Sequence, residues 1–103
     1  MQNVSYQQQA TLLKALAHPS RLAMVDALGS GEHCVCELQQ LVGSDISTVS
    51  KHLAVLKRAG IVIDRREGVQ IYYRLRIPCI LQVFPCVAAV MQADHHEKAC
   101  TVS

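Results

Sequence analysis

Two stretches of helical period, separated by a glycine, run from Val35 to Gly60, and beyond Gly60 the period changes abruptly. Val35, Leu38 and Leu41 fall at i, i+3 and i+6, the inward stripe of a helix over about residues 34–42, and Gly43 ends it. Val49, Leu53 and Leu56 make the apolar stripe of a longer helix over about residues 47–59, with Gly60 as its stop. Two helices joined by so short a turn are a helix-turn-helix. Past Gly60 come two β-branched, partly alternating runs, 61–66 and 69–75, joined by Glu67-Gly68. That is the signature of a β-hairpin, with Gly68 free to take the positive φ of its turn.

The flanks complete the order. Leu12, Leu13 and Leu16 predict a first helix over about residues 6–17. His18-Pro19-Ser20 interrupts it, and Pro19 or Ser20 suits the first turn of a second helix. That helix buries Leu22, Met24, Val25 and Leu28 and stops at Gly29-Ser30-Gly31. A last helical region over about residues 78–97 presents Ile80, Val83, Phe84, Val87, Val90 and Met91; Pro85 either kinks it or marks its start. The expected fold is mainly α with a β-hairpin. It is a winged helix-turn-helix (α-α-α-α-β-β-α) forming one domain over residues 1–103, since a chain of that length supports one core and not two.

In such a fold the second helix of the pair reads DNA. Thr48, Ser50, Lys51, His52, Lys57 and Arg58 are left largely outside the apolar stripe. Small polar and basic side chains on an outward face suit the base edges of the major groove, which makes Ser47, Thr48, Ser50, Lys51 and His52 the candidate readers, with Lys57 beside them. Arg65 and Arg66, near the hairpin tip, could grip backbone phosphate. The net charge is only +2, but residues 51–74 hold six Lys or Arg against two acids. Double-stranded operator DNA is the expected partner.

Cys34 and Cys36 open the helix that precedes this reading helix. A helix N-terminus favours thiolate, and paired thiolates select soft, thiophilic centres over hard cations. At i and i+2 on a regular helix the two side chains point roughly 200° apart, so chelation should distort the first turn and move the reading helix.

Four runs together resemble the ArsR/SmtB metal-sensing repressors over nearly the whole chain. They are Ala15-Leu-Ala-His-Pro-Ser-Arg-Leu22, Cys34-Val-Cys-Glu-Leu38, Ser47-Thr-Val-Ser-Lys-His-Leu-Ala-Val-Leu-Lys-Arg-Ala-Gly60 and Tyr72-Tyr-Arg-Leu75. The resemblance implies a homodimer, joined through its first and last helices, that represses its own resistance operon and leaves the operator on binding an inducer. The Cys34–Cys36 element is similar to the arsenic site of the arsenical-resistance repressors. The expected inducer is therefore As(III) or Sb(III), with cadmium, lead and zinc behind, and no permanent cofactor is expected. One departure stands out: those repressors often carry a third cysteine where this chain has Gln39. The third ligand could come from His33, another cysteine, solvent or a small thiol.

The remaining candidates are weaker. Cys79 and Cys86, seven apart, share a face of a continuous helix and could form a second thiol site, or a redox- or persulfide-responsive pair. The run Asp94-His95-His96-Glu97 looks like a metal cluster of the zinc-sensing branch. Those ligands should begin just after Tyr72-Tyr-Arg-Leu75, where the chain has Ile77 and Cys79, so the run reads as a solvated helix end. His18 reads as structural, and Cys100 as part of a frayed terminus or a mobile ligand.

Composition narrows the class. Half the residues are apolar and 17% charged, as in a globular domain. The apolar run 77–93 is broken by Pro78, Gln82, Pro85 and Gln92, and the first residues lack a signal-peptide pattern, so no membrane partner and a cytoplasmic location are expected. Five cysteines then point to thiols rather than a disulfide framework. No acid pair, nucleophile elbow or phosphate loop is visible, which predicts a non-enzyme.

Overall fold

The first helix is closed by its own side chains. Ser5 Oγ accepts the N–H of Gln8 at 3.1 Å, and Gln8 Oε1 accepts the N–H of Ser5 at 2.9 Å, a reciprocal cap on α1 (Tyr6–Leu16). The computed structural model describes residues 5–100, with side chains to Ala93. Helix α2 (Pro19–Leu28) starts on Pro19, where a missing N–H removes no helical bond.

A short strand β1 (His33–Cys34) leads directly into α3 (Val35–Val42), which ends at Gly43 in the left-handed conformation, φ 73°. Asp45 then caps α4 (Ile46–Arg58), accepting the N–H of Thr48 at 2.8 Å. Strands β2 (Val62–Glu67) and β3 (Gln70–Leu75) form the hairpin around Gly68, φ 64°. At its base the N–H of Arg76 donates to the carbonyl of Ile61 at 2.9 Å. A 3₁₀ turn (Pro78–Gln82) precedes α5 (Val83–Cys100). Pro85 lies in the first turn of α5, where no N–H has a helical partner, so it marks the start and not a kink. Among the described residues no helix is long and apolar enough to cross a membrane.

The winged helix-turn-helix is therefore present, with one element that the sequence pattern does not show. The sheet has three strands, ordered β1-β3-β2, because His33 and Cys34 pair antiparallel with Tyr73 and Tyr72. Cys34 accordingly lies just outside the helix expected to begin on it, as the extended cap residue, φ −80° and ψ 165°.

The core seats the helix pair. Val49, Leu53 and Leu56 of α4 are fully buried against Met24, Val25 and Leu28 of α2, Leu38 of α3 and Ile61, Val62 and Leu75 of the hairpin. Leu41 departs from its expected inward position: it is 52% exposed, and Val42 packs on the core instead. Helix α5 departs more. Ile80 and Leu81 of the preceding 3₁₀ turn and Phe84 of α5 reach the core, while Val87, Val90 and Met91 face outward, as do Tyr6 and Leu13 of α1. The radius of gyration is 16.1 Å, against about 13 Å for a spherical domain of this length.

Candidate nucleic-acid interface and thiol pair

Burying Val49, Leu53 and Leu56 fixes which side of α4 meets solvent. Ser47, Ser50 and Lys51 lie on the exposed side, and Thr48 is half-buried. Ser47 Oγ donates to Asp45 Oδ1 at 3.3 Å. Hydrogen bonds from Thr48 and then Ser47 hold the Asp45 carboxyl below its ordinary pKa, so the cap stays ionised. Ser50 and Lys51 make no side-chain hydrogen bond or close ion pair among the described residues, and the Lys51 charge adds to the lowering of the Asp45 pKa.

His52 is the correction on this helix. It is half-buried rather than outside, its ring 4.3 Å from that of His18 and its Nδ1 3.0 Å from Arg21 Nη1. Burial first, and then the charges of His18 and Arg21, lower its pKa, so the ring is neutral at neutral pH. His18 is structural as expected, its Nδ1 accepting the N–H of Ser20 at 3.0 Å and capping α2.

The hairpin cations divide in the same way. Arg65 is not a free phosphate grip: Nε and Nη2 reach Glu32 Oε2 and Oε1 at 2.7 and 2.8 Å, and Nη1 donates to Glu67. Its guanidinium carbon sits 4.7 Å from the centre of the Tyr72 ring. Those bonds raise the pKa of Arg65 and lower that of Glu32. Lys57 is paired with Asp64 at 3.0 Å. Arg66 alone of the two arginines is exposed with no partner among the described residues. The tip itself is Gly68-Val69, two residues beyond Arg66.

Cys34 is half-buried and Cys36 exposed, both as free thiols. They occupy the cap and the second helical position of α3, so their backbones differ. Glu37 joins Cys34 to the helix: its Oε1 accepts the N–H of Cys34 at 3.0 Å, and that bond, then His33, lowers its pKa. His33 Nδ1 lies 3.2 Å from Glu37 Oε1 and its Nε2 3.3 Å from Ser30 Oγ, so both ring nitrogens of this candidate third ligand already face partners. Among the described residues no group of three or more His, Cys, Asp or Glu is arranged to hold a metal ion. What the site offers is two sulfurs on the seam between the sheet and the helix pair.

Cys79 and Cys86 both line a shallow apolar groove of about 430 Å³ with Ile80, Val83 and Val87. The side chains of Asp94, His95, His96, Glu97 and Cys100 lie outside the described residues. Sequence reasoning missed Arg21, Glu32, Glu37 and Asp45. Asp45 three residues before Thr48, and Cys34 three before Glu37, are readable cap spacings. The Arg21–His52 and Glu32–Arg65 contacts span 31 and 33 residues and leave no local pattern.

Residues 18–64 match the profile of the bacterial regulatory proteins of the arsR family. A biofilm growth-associated repressor of Xylella fastidiosa is 50% identical over 66 residues, covering 64% of this chain and 58% of that one. The arsenical resistance operon repressor of Escherichia coli is 40% identical over 65 residues, 62% of this chain and 56% of its own. The chain thus spans little more than half the length of these curated relatives. Solved structures are matched more fully. Rv0081 of Mycobacterium tuberculosis superposes with a TM-score of 0.80 at 32% identity, covering 91% of this chain and 95% of that one. The homodimeric winged helix-turn-helix domain Mb0332 of Mycobacterium bovis gives 0.74 at 34% identity, covering 95% of each.

Proposed function

The chain belongs to the arsR family of bacterial regulatory proteins, and on that premise we propose that it is a homodimeric transcriptional repressor released from its operator by a thiophilic metalloid at Cys34 and Cys36. The observation that carries this reading is the place of Cys34. It is at once the cap of α3, the helix before the DNA-reading helix, and the strand residue opposite Tyr72 in the hairpin sheet.

Trivalent arsenic or antimony fits the donor set. Each thiol gives up its proton to a departing hydroxide as a sulfur–metalloid bond forms, so two thiols release two waters from arsenous acid. With Gln39 in place of a further thiol, the third position stays open to solvent or a small thiol. Closing both sulfurs on one atom works against the β1–β3 pairing and the Glu37 cap bond together. The strain then reaches both DNA-facing elements, the wing through β3 and α4 through α3. This replaces a coupling through the first helical turn alone. Ser47, Thr48, Ser50 and Lys51 read the groove, and Arg66 meets phosphate beside it. The homodimer closes through the outward apolar side chains of α1 and α5; that the Mycobacterium bovis relative is homodimeric supports the dimer itself.

A second reading places a redox- or persulfide-responsive pair at Cys79 and Cys86, favoured by the groove they share. One experiment separates the two. A duplex of the DNA upstream of the chain's own coding region is bound under reducing conditions and titrated with arsenite, cadmium, zinc or a persulfide donor. Arsenite release in wild type, lost in Cys34→Ser/Cys36→Ser, supports the first reading. Release that survives the double substitution, or that only the persulfide donor produces, moves sensing to Cys79 and Cys86.

A further inference from the structure

His52 sits on the reading helix, yet its ring faces the junction of the helices beneath. A guanidinium is permanently charged and only donates, so the 3.0 Å contact from Arg21 Nη1 makes His52 Nδ1 an acceptor, with the ring proton on Nε2. Arg21 Nε donates at 2.7 Å to the carbonyl of Ala15, an oxygen in the last turn of α1 that lacks a helical partner. One side chain on α2 therefore ties the end of α1 to α4. His18, 4.3 Å away, caps α2 through its own unprotonated Nδ1.

We propose that Arg21 and His52 position the recognition helix and make its DNA binding acid-sensitive, the contact breaking when His52 takes a second proton. The inference rests on the DNA-binding reading above. A proton on Nδ1 turns an acceptor into a donor facing a donor and sets two positive charges 3.0 Å apart. The titratable and charged groups facing His52 are His18, from the α1–α2 junction, and Arg21, from α2. No described carboxylate pairs with it to relieve the repulsion.

Burial and these neighbours keep the His52 pKa below its ordinary 6.5. The folded protein thus takes this proton at lower pH than the unfolded chain does. The contact is complete above pH 6.5 and is lost as pH falls through the lower folded value. Unspecific electrostatics has the opposite sign, because protonating histidines adds positive charge and strengthens attraction to phosphate. The direction of the pH dependence therefore tells them apart.

The test joins an NMR titration of the whole chain to binding of the same upstream duplex across the acid range. His52→Asn supplies an amide oxygen that accepts where Nδ1 does but does not titrate. The expected result is a His52 ring midpoint below 6.5, with the backbone amides of residues 49–53 following it. Wild-type affinity then falls below that midpoint by up to about tenfold per pH unit per protomer, while His52→Asn, normalised to its own affinity at pH 7.5, loses the fall. A ring midpoint at or above 6.5, amides that ignore it, or the same pH profile in wild type and variant overturns the proposal. Absence of binding at pH 7.5 refutes the repressor reading instead, and the ring and amide titrations still decide whether His52 positions α4.

Discussion

Leu38 and Leu41 sit one turn apart on α3, and truncating each to alanine should give very different results. Leu38 is 1% exposed and the only fully buried residue of its helix, whereas Leu41 is 52% exposed. Leu38→Ala deletes three buried carbons, worth about 2.4 kcal/mol at roughly 0.8 kcal/mol each. A residual void adds about 24 cal/mol per Å³, which brings the expected loss to about 3–4 kcal/mol. At a slope of about 2 kcal/mol per molar urea, the unfolding midpoint should fall by roughly 1.5–2 M. Leu41→Ala should stay within about 0.5 kcal/mol of wild type. Both variants are compared by urea unfolding at one protomer concentration, because a dimer's stability depends on concentration. Equal losses for the two would show that α3 presents a different face to the core, and the placement of the helix pair would fall with it.

Arg66→Ala should lower the slope of log affinity against log salt by about one per protomer, while Arg65→Ala, whose charge is met by Glu32 and Glu67, should leave that slope unchanged. Both are read by anisotropy on the upstream duplex. Gly68→Ala should destabilise by about 1–2 kcal/mol from backbone strain, since φ is 64° and a Cβ there meets nothing within 4 Å; urea unfolding reads it, and Gly68→Asn should recover part of the loss. Glu32, Glu37 and Asp45 all titrate below their ordinary values of 4.5, 4.5 and 3.8. The unfolded chain therefore takes up protons first as pH falls. Their stabilisation is present above those ordinary values and is lost as pH drops through the lower folded ones. A series of melting temperatures from pH 6 to pH 3 should show the decline, and Glu37→Gln should flatten part of it.

The fold was legible wherever one helix or hairpin sets its own pattern. Val49, Leu53 and Leu56 recur at helical spacing and are all fully buried, and Gly43 and Gly68 stand where a positive φ is needed. Leu41 misled because i+6 is not a true helical repeat. At roughly 100° per residue, Val35 and Val42 lie within about 20° of each other, and Leu41 lies about 60° beyond Leu38, off the inward stripe. Strand β1 was invisible for another reason: two residues carry no period, and they are extended because β3 offers an open edge some forty residues later. His52 and Arg65 were misjudged on the same ground. Each is a polar residue on an outward-looking pattern, and each is claimed by a partner from a distant segment.

On the proposed function, these distant contacts are what couples the thiol pair to DNA. The segment 32–37 carries Glu32, which grips Arg65 of the wing, then the β1 pairing to β3, then Cys34 and Cys36, then Glu37, which holds the start of α3. Tyr72 closes the loop, being the strand partner of both Cys34 and Arg65 and the ring beneath the Arg65 guanidinium. A ligand that draws the two sulfurs together must move a segment fastened at one end to the wing and at the other to the helix pair. The core behind α4 is packed and does not yield smoothly, so the displacement is passed on to the two DNA-facing elements. On the proposed function the wing is an output of the sensor as much as the recognition helix. Arg65, which reads in the sequence as a phosphate contact, then belongs to the transmission.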